Sequence, residues 1–117
     1  MRTMNVRTLE QPIRFKNWDC KVNLLHYANG ERCIQLVDSE DGYPVSTATV
    51  VLHSSPPKDS VWIKGWSENE GMAGYLQDAA IICGRESATT TTGFVEVQAY
   101  PLTDDILALF EEMEQEI

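Results

Sequence analysis

The chain has 117 residues, 43 % of them hydrophobic and 23 % charged, a composition that argues against intrinsic disorder. The length suits one domain spanning residues 1–117, and no apolar run approaches the roughly 18 residues of a membrane span. A formal net charge of −9 argues against direct nucleic-acid binding, because phosphate contacts need clustered lysine and arginine.

The charge is uneven. Residues 1–32 carry six of the nine basic residues, whereas after Arg85 there is none, against eight acids ending with Glu111, Glu112, Glu114 and Glu116. Residues 1–14 contain no apolar core of signal-peptide length, and Pro12 interrupts any early element. A loosely held arm and a cytoplasmic protein are the expectations.

"WDCKVNLL" alternates, with Trp18, Cys20, Val22 and Leu24 on one face, as in a half-buried strand. The turn "YANGE" leads to "RCIQLV". A two-residue Asn29-Gly30 turn would oppose Leu24 to Gln35. A three-residue loop, Ala28-Asn29-Gly30, opposes Leu24 to Ile34 and Val22 to Leu36, with Gly30 left-handed. Only the second register keeps one apolar face, so it is preferred. "DSEDGYP" reads as a turn, the β-branched "VSTATVVL" as a third strand, "HSSPPKDS" as a loop and "VWIK" as a fourth strand.

Ser67-Glu68-Asn69-Glu70 has the spacing of a capping box, in which the Ser67 hydroxyl accepts from the Glu70 N–H and the Glu70 side chain reaches back. A helix is expected to follow, with Met72, Leu76, Ala79 and Cys83 on one face and Gly84 as its C-cap. Gly71 and Gly74 would each cost this helix about 1 kcal/mol against alanine. "GRESATTTTG" reads as a flexible polar connection and "FVEVQAY" as a fifth strand. A last helix starts at Thr103, with Ile106, Phe110, Met113 and Ile117 on its apolar stripe. The order β-β-β-β-α-β-α predicts an α+β fold: a mainly antiparallel sheet of about five strands with two helices packed on one face.

Candidate chemistry is sparse. Glu68 and Glu70 could act as acid and base, but capping explains both residues. An EF-hand loop opening at Asp38 would need glutamate where Thr49 stands, so the 38–42 acids read as a solvated turn. His26 and His53 each stand alone. His26 could meet Cys33 across the hairpin, without a third group to orient the pair. Cys20, Cys33 and Cys83 are odd in number and lack zinc or thioredoxin spacing, so they read as small buried hydrophobes. No catalytic set, metal or cofactor is expected. Of Trp62 and Trp66, one should be core. Trp66, in the turn, is the candidate aromatic anchor for a partner.

At "YANGERCIQLVDSEDGYPVSTATV", "VWIKGWSENEGM" and "GFVEVQAYPL" the chain resembles a family of small bacterial, phage and mobile-element proteins of unknown function. The likeness runs from Tyr27 to Leu102 and is most specific over Ser67–Met72. It implies a mobile-element origin and carries no activity or cofactor. With the acidity, it leads to the expectation of a non-enzymatic protein that binds and inhibits a host protein with a basic surface. An anti-CRISPR-like or other anti-defence inhibitor is its sharpest form. The acids Asp104, Asp105, Glu111, Glu112 and Glu116, with Trp66, are the expected contact residues. The alternative is a small ligand-binding domain or enzyme whose site is assembled from scattered residues, signalled by a pocket lined by His26, Cys33 or Trp66.

Overall fold

A computed structural model describes residues 5–115. Its longest ladder is the first hairpin, β3 (Trp18–His26) against β4 (Arg32–Asp38). Leu24 faces Ile34 and Val22 faces Leu36, the register set by the three-residue loop. Tyr27 N–H donates to Glu31 C=O (2.8 Å), which closes that loop, and Gly30 sits at φ 90°, open to glycine without a Cβ penalty. Cys20, Val22, Leu24, Ile34 and Leu36 are all fully buried on one face. Trp18, at the strand's first position, shares the alternation but is half exposed.

The expected loose arm is paired backbone from Arg7 onward. β1 (Arg7–Thr8) and β2 (Ile13–Phe15) both lie along the free side of β3, on either side of the break at Pro12. β5 (Pro44–Thr47) joins the other side of β4 and completes a five-stranded antiparallel sheet.

The segment expected as one long third strand changes partner midway. Ala48 N–H still donates to Ile34 C=O (2.8 Å), but Thr49 bridges Ile63 and Val50 N–H donates to Trp62 C=O (3.1 Å). The chain thereby passes into a second sheet, β6 (Ser60–Ile63), β8 (Val95–Pro101) and β7 (Ala88–Thr92), with β8 in the middle. β7 corrects the reading of residues 84–93 as a flexible connection. Its four threonines are β-branched and pair with Val95, Glu96, Val97 and Gln98 through a two-residue Gly93-Phe94 turn.

The capping box does not form. Ser67–Asn69 make a single 3-10 turn, and Glu70 N–H donates to the Ser67 carbonyl (3.1 Å) rather than to its hydroxyl. Gly71 is left-handed at φ 86° and separates this turn from α1 (Met72–Asp78), so it lies outside the helix instead of weakening it. α1 also ends earlier than Gly84. Ala80 N–H donates to Gln77 C=O and Ile81 N–H to Leu76 C=O, a Schellman closure with Ala80 left-handed at φ 58°. This early stop frees Ile81 and Ile82 to enter the core from beyond the helix, with Ile82 bridging Leu102.

α2 (Asp104–Gln115) buries Ile106, Phe110 and Met113 as its periodicity predicts, while Ile117 lies outside the described residues. The first sheet's apolar face, Val61 and Ile63 of the second sheet, and both helices close one core. The second sheet's other face carries a smaller cluster, in which Trp62, Val97 and Ala99 are covered by Val50, Leu52 and Trp66. The α+β class and the antiparallel five-stranded sheet are present, joined by the three-stranded sheet. Among the described residues no helix is long and apolar enough to cross a membrane.

Candidate protein-binding surface

Because Ile106, Phe110 and Met113 turn inward, helical spacing turns Asp104, Asp105, Glu111 and Glu112 outward, and all four are exposed. Glu112 is met by Arg7 of β1 (3.2 Å). Asp104, Asp105 and Glu111 have no ion-pair partner among the described residues. Glu116, also expected here, lies outside the described residues.

Beside the start of α2 is a groove of about 830 Å³ between the β1–β2 segment, the end of α1 and α2. Leu9, Ile13, Ile81, Ile106 and Leu109 supply apolar wall, while three acids, Glu10, Asp78 and Asp105, and one base, Arg7, border it. Asp105 therefore belongs both to the acidic helix face and to this groove. Glu10 and Asp78 were not legible as members of one surface. They are 68 residues apart in sequence, and only the pairing of the N-terminal segment with β3 carries Glu10 to the end of α1.

At the other end of α2, Glu114 is held rather than displayed. Arg32 donates to both of its oxygens, Nε at 2.8 Å and Nη2 at 2.9 Å, and His26 Nε2–H donates to Oε2 at 2.8 Å. These bonds, the Arg32 pair above all, hold the Glu114 carboxyl down at about 2 although partial burial opposes them. Arg32 also lies over the Phe110 ring at 5.6 Å, and His26 meets that ring edge-on at 5.5 Å. Basic residues of the N-terminal third, Arg7 and Arg32, thus compensate acids of α2.

His26 and Cys33 do not meet. His26 pairs with Arg32 and faces α2, whereas Cys33 pairs with Leu25, one step along and hence on the opposite side of the sheet. There burial raises the Tyr27 phenol above its ordinary value, and its hydroxyl bonds Thr49 Oγ1 (2.9 Å). Cys20 and Cys33 are buried and Cys83 partly so; burial, followed by Asp38 and Asp19, pushes the Cys20 thiol up. Neither His26, Cys33 nor Trp66 lines the groove. In the 38–43 turn, Asp38 Oδ1 accepts from Glu40 N–H (2.8 Å) and Asp41 Oδ1 from Tyr43 N–H (2.9 Å), the work of Asx turns. Among the described residues no three metal-ligating side chains gather.

Trp66 is partly buried against the second cluster, so the core reading fits it better than that of an exposed anchor. The aromatic rings that stand out are Phe94, fully exposed, and Tyr43, 73 % exposed. Both occupy turns, where alternation carries no information about exposure. Glu68 is exposed, and its Oε1 accepts from Lys64 (3.2 Å). The residue of that segment that is wholly buried is Asn69. Its amide donates to Thr47 C=O (2.8 Å) and its carbonyl oxygen accepts from the Ser46 hydroxyl, which fastens the turn to β5.

Compared with known proteins, the chain matches no protein-family model, no curated protein and no solved structure.

Proposed function

We propose that this is a non-enzymatic binding protein, of phage or mobile-element origin, that docks on a basic surface of a host protein and blocks it. In its sharpest form it is an anti-defence inhibitor whose carboxylates stand where nucleic-acid phosphates would. The observation that supports this most is the continuity, through Asp105, of the acidic α2 face with a carboxylate-bordered apolar groove. Acids alone serve solubility; acids around an apolar floor suit a partner segment that combines lysine or arginine with an aliphatic anchor. Affinity capture from a bacterial lysate at two ionic strengths tests the reading. A stoichiometric partner should be retained at low salt, and the Glu10→Gln/Asp78→Asn/Asp105→Asn variant should retain less of it, with a flatter salt dependence. Equal retention and an equal salt response for both proteins would remove this surface from the interface.

A small ligand-binding domain is the second reading, favoured by the groove's volume, which falls in the range that small molecules use. It predicts saturable binding of an apolar organic cation by the isolated protein.

A further inference from the structure

Sheet edges invite further strands, and proteins blunt them with charges, proline, bulges, brevity or a cover. Three of the edges here are treated in that way. β1 and β2 are two and three residues long, carry Arg7 and Arg14, and are interrupted by Pro12. β5 begins at Pro44 and is fastened at Thr47 C=O by Asn69. β6 is covered by residues 48–50, through Thr49 opposite Ile63 and Val50 N–H donating to Trp62 C=O.

β7 shows none of these devices between Ala88 and Thr92; the irregularity beside it is at Ser87, whose N–H bonds the carbonyl of Ala99, the residue opposite Ala88. Ala88–Thr92 has no charge, no proline and no register shift against β8, and no described strand lies on its far side. In a two-residue hairpin the flanking pair, Thr92 and Val95, is hydrogen-bonded, and bonded and non-bonded pairs alternate from there. Thr90 therefore bonds inward to Val97, and the backbone N–H and C=O groups of Thr89 and Thr91 point out from the sheet. Fully exposed Phe94 continues this edge at the hairpin tip.

We infer that β7 is a self-association edge, at which two copies of this chain pair antiparallel about a twofold axis at Thr90. Thr89 of one copy then faces Thr91 of the other, and these two residues exchange N–H and C=O bonds in both directions. Thr90 faces Thr90, and the two three-stranded sheets become one of six strands. Threonine opposite threonine is a favourable cross-strand pair. Charge also suits a second copy. Each chain carries −9, yet residues 87–95 contain no charged side chain, so the copies meet where like charges are not opposed. In this register Phe94 of each copy comes opposite Glu86 of the other, two residues before β7, so an apolar ring rather than a like charge meets that carboxylate. The groove beside α2 takes no residue from β7, so this inference is independent of the proposed function.

Sedimentation velocity of the full chain over a wide concentration range tests it, alongside amide hydrogen exchange. The wild type should approach twice the chain mass, with Thr89 and Thr91 amides gaining protection as concentration rises. Thr91→Pro removes an outward donor from each copy and should raise the dimer dissociation constant by about 10- to 100-fold. Should Thr91→Pro fail to fold, Thr89→Lys/Thr91→Lys keeps the backbone and places charge at the axis, with the same expected loss of dimer. A wild type that stays monomeric overturns self-pairing and leaves the edge to a strand from another protein. A dimer that survives both variants with unchanged affinity places the contact elsewhere and overturns it equally.

Discussion

Asn69 and Ser67 lie two residues apart and have opposite weights. Asn69 is fully buried and bonds Thr47 C=O and the Ser46 hydroxyl, so Asn69→Ala leaves both without that partner and should cost about 1–3 kcal/mol. Ser67 is exposed and makes no capping bond, so Ser67→Ala should stay within about 0.5 kcal/mol of wild type. Urea unfolding of the two variants separates them, and a larger loss for Ser67→Ala would restore the capping box. Ala80 offers the reverse test. Its left-handed φ strains any residue with a Cβ, and Ala80→Gly should raise stability by about 0.5–1 kcal/mol, the relief being partly offset by glycine's freedom in the unfolded chain. Thermal unfolding reads this out, and a lowered midpoint would show that the helix does not end there.

At the scale of the element, α2 is held at its far end by Glu114. The folded carboxyl, at about 2, lies below its ordinary 4.5. The stabilisation it provides is therefore complete above pH 4.5 and is lost as pH falls from there through about 2. Glu114→Gln should cost about 1–2 kcal/mol near neutrality, less than the shift alone implies because a third of the side chain meets water. The gap to wild type should close over that acid window. A gap that persisted unchanged down to pH 2 would mean the Arg32 bonds do not set it.

At the scale of the whole molecule, the two surfaces described are chemically distinct: one acidic and grooved, the other uncharged with an open backbone edge. Neutralising Asp104, Asp105 and Glu111 to their amides should barely move stability, since exposed charges contribute about 0–1 kcal/mol each. The same variant should slow association with a basic partner, and stopped-flow rates at two salt concentrations would check it. Glu112 is a poorer choice for this test, because Arg7 already pairs with it. Self-association through β7 should be indifferent to these amides, so the two surfaces can be tested separately.

Period and turn chemistry in the sequence determined the first hairpin, its three-residue loop and register, the buried stripe of α2 and the α+β class. Each rests on neighbours within a few residues, where alternation or helical spacing leaves one face to bury. Tertiary structure decided the rest. Ser-Glu-Asn-Glu satisfies a local capping rule, yet Asn69 gains more by bonding β5, and Gly71 then starts the helix a turn later. The run of threonines became a strand because β8 presents a partner edge, and polarity alone does not reveal an edge. Residues 44–52 read as one strand but divide between two sheets, since propensity is blind to the partner. The acidic character of α2 was legible, but not the three acids that line the groove. Glu10, Asp78 and Asp105 come together only through the pairing of the N-terminal strands with β3 and the packing of both helices on one core, contacts too distant in sequence to leave a local pattern.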